Sequence, residues 1–333
     1  MSDKIWITWE HHRRSTVLAE AFGAQLHELT SNRGRIARYF SLTRATIGVL
    51  RSSSPSVVFA QNPSLVLGLV ACILKPFFGY RLVVDRHSNF KLHANALPQP
   101  QLSTFQWISK FTIKHADLTI VTNAALAGLV ESWGGRAEVL QDKIPNLDEG
   151  STRNLIGKQN LLFVCTYSDD EPVSEVLEAA SLIDPSIAIY VSGNYRKWPE
   201  LDAPPGGYDY SSNVRLTGFV DEIEYQTIFR SVDAAIVLTT RENLLTCGAY
   251  EAIALNKPLV LSNSVAIKEY FRKGARYTDN SAGSIAKEIS KVCENIQEYR
   301  AEVREFRREL SAEWNQRFSE IQEIVRALQS KAK

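Results

Sequence analysis

Short apolar runs alternate with helix-like stretches along most of this chain, the rhythm of parallel sheets buried between helices. In the first part, runs at 5–9, 56–60, 80–84 and 117–121 read as strands, and 137–140 closes the series. Helices are predicted between them over 16–29, 32–50, 64–74, 103–115 and 124–133. In the second part, strands at 160–165, 188–192, 214–219, 232–238, 259–261 and 275–278 alternate with helices at 173–181, 225–231, 247–255 and 264–271. A charged amphipathic tail follows from Ser281, in which Trp314 and Phe318, four positions apart, share a face able to return to the first domain.

The fold expected from this order is α/β, two doubly wound Rossmann-like domains facing across a cleft. The first domain takes residues 1–145, a linker with Pro145, Gly150 and Gly157 takes 146–158, the second domain 159–312, and a C-terminal helix 313–333. The apolar stretch 65–74, interrupted by Lys75-Pro76, is too short to span a bilayer. It suits a core helix ending in a turn at Lys75-Pro76, or a segment lying on a membrane. Residues 1–4 lead straight into the first strand, so no signal peptide is expected.

Composition narrows this only a little. A chain of 333 residues with 44% hydrophobic and 23% charged content is globular, and its net charge of +1 gives no general attraction to nucleic acid. Cys72, Cys165, Cys247 and Cys293 are widely spaced and read as small buried hydrophobes of a cytoplasmic protein, not as a metal site or disulfides. Arg33, Arg35, Arg38, Arg44 and Arg51 share one helical stretch, either a solvated face or a surface for an acidic membrane or anionic acceptor.

Candidate chemistry concentrates between Leu238 and Ser262. The helix there follows a loop with Thr239, Thr240, Arg241, Glu242, Asn243 and Thr246, and Gly248 lets another backbone come close, so its N-terminal N–H groups would suit a phosphate. Glu251, one turn further in, would accept bonds from a pair of sugar hydroxyls. In the first domain, the loop Glu10-His11-His12-Arg13-Arg14 follows the first strand, where ligands bind in such sheets. His11 and His12 are candidates for sugar hydroxyls, and Arg13 and Arg14 for a phosphate or acidic acceptor, unless the loop is merely solvated.

Residues 238–262 resemble the donor-binding motif of retaining GT-B glycosyltransferases, the family 4-like enzymes also called glycosyl transferases group 1. That motif has two glutamates eight positions apart. Glu251-Ala252 matches the second, 256–260 matches the run after it, and Asn243 stands where the first would be, beside Glu242. The resemblance implies that Glu251 meets the ribose, Glu242 or Asn243 the donor sugar, His87 of Asp85-Arg86-His87 the sugar from the first domain, and the turn at Gly218 the base. The arginine and lysine that the family places on the diphosphate correspond to Thr166 and Glu171. Compensating charge would come from Arg241, from Arg196 and Lys197 beside Asn194, or from Arg13 or Arg14; a cation held by Asp169, Asp170 and Glu171 is the alternative.

The function so implied is transfer of a sugar, with retention, from a nucleotide-sugar to a glycan or lipid-linked acceptor in cell-surface polysaccharide or glycolipid synthesis. No cofactor and no divalent metal is expected, and contact with the inner membrane face is. A non-catalytic partner subunit and a nucleotide-sugar epimerase are the other readings.

Overall fold

The computed structural model describes residues 3–61, 64–87, 99–147, 149–198 and 211–332, with side chains of 99–102 left aside. The chain divides into two compact units, Met1–Lys143 with Glu313–Lys333, and Ile144–Ala312. Each carries a six-stranded, wholly parallel sheet covered by helices on both faces.

In the first unit the strands are β1 (Lys4–Thr8), β2 (Gln25–Glu28), β3 (Val57–Gln61), β4 (Arg81–Arg86), β5 (Leu118–Val121) and β6 (Ala137–Val139), in the order β2-β1-β3-β4-β5-β6. Strand β3 is buried at every position, which is why the central strands read as unbroken apolar runs. One face packs Ile5, Ile7, Trp9, Val58 and Leu82 against α2 (Arg35–Ser53) and α3 (Leu65–Phe78). The other packs Trp6, Phe59 and Val83 against α1 (Arg13–Phe22) and the end of the last helix. Helices α4 (Gln99–His115) and α5 (Ala124–Ser132) complete this unit.

Three expectations are corrected here. The helix placed at 16–29 is shorter: α1 stops at Gly23, whose φ of 62° closes the helix in the left-handed region, and the chain then forms edge strand β2. The turn expected at Lys75-Pro76 does not form, because Pro76 sits inside the end of α3, which stops at Gly79. Of the cysteines, Cys72, Cys165 and Cys293 are buried and Cys247 is exposed.

The second unit contains β7 (Gln159–Phe163), β8 (Ile187–Ser192), β9 (Val214–Gly218), β10 (Ala234–Val237), β11 (Leu259–Ser262) and β12 (Ala275–Thr278), ordered β12-β11-β10-β7-β8-β9. Its helices are α6 (Val173–Leu182), α7 (Glu222–Ser231), α8 (Cys247–Ala254), α9 (Val265–Tyr270) and α10 (Ala282–Glu294). Residues 144–158 count with this unit, and Leu147 is buried in it. From β7 the chain builds outward through β8 and β9, then returns to place β10 on the other side of β7. Such a reversal opens a crevice at the carboxyl ends of the two strands.

Helix α11 (Ile296–Gln329) is 34 residues long; its part up to Ala312 belongs to the second unit and its part from Glu313 to the first. In the first unit Trp314 stacks on Phe318 at 4.9 Å, Phe318 meets Phe22 at 4.7 Å, and Trp314 Nε1 donates to the Gln141 carbonyl at 3.0 Å. Among the described residues no helix is long and apolar enough to cross a membrane.

Candidate active site

In the second unit the site is built around the loop from β10 to α8, at the reversal of strand order. Asn243 adopts a φ of 59°, which turns the loop just after Glu242. Gly248 is needed for packing: a Cβ there would lie 2.8 Å from Val164 Cγ1, so glycine lets α8 settle on the end of β7. One turn into α8, the Glu251 carboxylate accepts a hydrogen bond from Tyr225 of α7 at 2.8 Å. Burial, and then the charge of Glu251, hold the Tyr225 hydroxyl well above its usual pKa, so it stays a donor. Thr246 stands at the N-cap position of α8 but makes no side-chain cap.

The acidic loop after β7 has defined partners. Glu171 folds back on its own loop, accepting from the Thr166 and Ser168 N–H groups, both at 2.9 Å. Asp170 turns to the donor loop instead, accepting from the Thr239 hydroxyl at 2.6 Å, pairing with Arg241 at 2.8 Å, and offering its carbonyl to the Thr240 N–H. Two of the three consecutive acids therefore face different groups, and no cluster of His, Cys, Asp or Glu fit for a metal ion is found among the described residues. Arg241, one of the cations expected for the diphosphate, is paired with Asp170.

Gly193 brings the end of β8 against the end of β7: its φ is 92°, and a Cβ would lie 2.3 Å from the Cys165 carbonyl oxygen. The chain then makes a 3-10 turn at Tyr195–Lys197, capped by Asn194, whose side chain accepts the Arg196 N–H at 3.2 Å. Arg196 and Lys197 are exposed on it. Gly218 ends β9 with a φ of 72°, facing the Tyr195 ring.

Sequence reasoning missed a set of small polar residues at the ends of β11 and β12. The Ser262 hydroxyl accepts the Thr239 N–H at 2.9 Å and donates to Asn280 at 2.8 Å, and the Asn280 amide donates to the Thr239 carbonyl. With Arg241, Glu242, Glu175 and Asp279 they line a cavity of about 950 Å³. The available signal was a hydroxyl residue closing each strand, Ser262 and Thr278, since strand carboxyl ends face the ligand in sheets of this kind.

The first unit holds a second cluster at the ends of β1 and β4. His12 is the N-cap of α1, with Nδ1 accepting the Arg14 N–H at 3.3 Å, and its ring lies 4.4 Å from that of His87. Burial, and then His87, lower the His12 pKa below that of a free imidazole. His87 Nδ1 lies 3.4 Å from Asp85. Of the histidine pair, His12 thus lies with His87, while His11 points away to Glu28 at 3.0 Å.

Arg13 is exposed, but Arg14 is buried and is not placed as a surface cation. Its guanidinium meets Asp85 at 3.0 Å, Asp142, and the Leu140 carbonyl at 2.8 Å. Burial alone would lower its pKa; the two carboxylates outweigh that and raise it.

Two parallel six-stranded sheets with hydroxyls, carboxylates and arginines at their carboxyl ends define a pair of Rossmann-like domains. Residues 8–141 match the glycosyl transferase 4-like domain and residues 158–295 the glycosyl transferases group 1 domain, so the chain belongs to this glycosyltransferase family. The fold is shared with sucrose-phosphate synthase from Thermosynechococcus elongatus, at a TM-score of 0.71 and 14% identity over 97% of this chain and 86% of that one. HepE of Anabaena, solved with UDP, gives a TM-score of 0.71 and 14% identity over 99% and 100%. The catalytic domain of starch synthase IV from Arabidopsis thaliana, bound to ADP and acarbose, gives 0.64 and 11% over 90% and 79%. No curated protein matches the sequence.

Proposed function

We propose that this glycosyltransferase moves a sugar from a nucleotide-sugar to an acceptor hydroxyl with retention of the anomeric configuration, in the synthesis of a cell-surface glycan or glycolipid at the cytoplasmic face of a membrane. The observation that carries the reading is Glu251, aimed by Tyr225 and set one turn behind the Glu242-Asn243 loop. A carboxylate so held accepts the two ribose hydroxyls of the nucleotide. Glu242 or Asn243 bonds the sugar.

The main electrostatic demand is the charge gathering on the departing diphosphate. Arg196, Lys197 and Arg241 supply the cations, and the N-terminus of α8 beyond Thr246 and Gly248 supplies N–H groups. The leaving phosphate takes the acceptor proton, so no side chain is assigned as a base. HepE has also been solved with UDP-glucose, which makes UDP-sugars the first donors to try.

The test is thermal melting with UDP, GDP, ADP, CMP and dTDP, for the wild type and Glu251→Ala, followed by proton NMR of the product formed from the stabilising nucleotide's sugar. A shift with one nucleotide, lost in Glu251→Ala, and an axial product from an axial donor are expected. An inverted product would overturn retention. Release of an epimer without an acceptor would replace transfer by epimerisation.

A further inference from the structure

Between Glu28 and Asp117 the sequence holds eleven Lys and Arg residues and one acid, Asp85. Asp85 is wholly buried against Arg14. The net charge of +1 therefore conceals a strongly basic segment balanced by an acidic remainder. Helices α2, α3 and α4 are all made from this segment, and α3 packs against both α2 and α4. None of the three contains an Asp or Glu.

The start of α2 is exposed on all sides. Residues 32–38 are all exposed, and burial begins only at Leu42. Ile36 is 86% exposed and Phe40 is 77% exposed, and four positions apart they lie on one side of the helix. Arg35, Arg38 and Arg44 surround them, and none makes an ion pair among the described residues. A merely solvated face would carry polar residues at 36 and 40. A soluble polyanion would use the arginines but gain nothing from the two apolar side chains. An anionic bilayer uses both kinds, because the cations meet lipid phosphates while the apolar groups enter the headgroup and acyl boundary.

We propose that the first two turns of α2 dock this protein on an anionic lipid bilayer, with Ile36 and Phe40 inserted and Arg35, Arg38 and Arg44 against the headgroups. This rests on the membrane-face reading above and names the surface that achieves it. Phe77 on α3, 79% exposed, and Trp107 on α4, 60% exposed, add apolar area to the same acid-free helical layer.

The experiment is co-sedimentation of the full chain with phosphatidylcholine vesicles, with and without phosphatidylglycerol. Binding only to the anionic vesicles is expected. Replacing Arg35 and Arg38 by Gln should weaken it roughly fivefold per arginine. Ile36→Ser with Phe40→Ser should abolish the part that survives high salt, and both side chains are exposed enough for the fold to persist. Nucleotide-induced melting, read on the same variants, should not change, which separates failure of docking from failure of the donor site. No sedimentation, equal binding to neutral vesicles, or indifference to the Ile36 and Phe40 changes would overturn the proposal.

Discussion

The Arg14 guanidinium and the Asp85 carboxylate are both buried, 3.0 Å apart, and Asp85 also stands 3.4 Å behind His87. The ion pair thus backs the imidazole of His87. Removing one partner of such a pair leaves the other charged in a dry site. Arg14→Leu should therefore cost about 3–5 kcal/mol, read from the urea midpoint, far more than Arg13→Leu on the surface.

The same pair makes an acid limb. Burial would raise the Asp85 pKa, but Arg14 and His87 outweigh that and hold it below the ordinary carboxylate value. A lowered folded pKa means a contribution fully present above the unfolded value, about 3.9, and lost as pH falls through the folded one. Urea midpoints should decline below about pH 4 in the wild type, and the decline should be shallower in Asp85→Asn.

Lys257 predicts the opposite limb. Its ammonium donates to the Arg230 and Val232 carbonyls, at 2.7 Å and 2.6 Å, and burial, helped by Arg300, pushes its pKa down to about 8. An unfolded lysine titrates near 10.4, so between these values the unfolded chain binds more protons and stability rises with pH. Against Lys257→Met, the wild type should gain on the order of 2 kcal/mol between pH 8 and pH 10.

Tyr225→Phe should leave the fold intact but remove one hydrogen bond that aims Glu251. Loss of one hydrogen bond to a charged group should weaken nucleotide binding roughly tenfold, while Glu251→Ala should lose it altogether. Titration calorimetry with the stabilising nucleotide checks both, and an unchanged affinity in Tyr225→Phe would remove Tyr225 from the site.

In the proposed site Asp170 competes with the donor diphosphate for Arg241. Asp170→Asn keeps an acceptor for Thr239 yet releases the arginine, whose side chain is 60% exposed. Nucleoside diphosphate affinity should rise up to about fivefold, the range of an exposed ion pair, and the gain should vanish at high salt.

Element order was legible because strands buried on both faces must be almost wholly apolar, as β3 and β8 are up to their last residues, Gln61 and Ser192. Strand β2 was not legible: only four residues long and at the sheet edge, Gln25-Leu26-His27-Glu28 carries no such run. Of the proposed site, the loop around Glu242 and the helix of Glu251 stood out by spacing and resemblance. Arg14 could not, because its partners Asp85 and Asp142 lie 71 and 128 positions away and nothing local separates it from Arg13. The acids at 169–171 likewise looked like a charge defect until Thr239 and Arg241, about seventy positions on, were seen to meet Asp170.

The composition of the first unit sets an order of events during synthesis. Trp314, Ile321 and Val325 fill one face of its sheet against Trp6, Phe22 and Phe59, yet they are translated after the whole of the second unit. Until then that face stays open, short of three large apolar side chains worth about 1.5–3 kcal/mol each. The half of the protein that begins first is therefore finished last, and a nascent chain halted before Glu313 should need a chaperone to shield Phe22 and its neighbours.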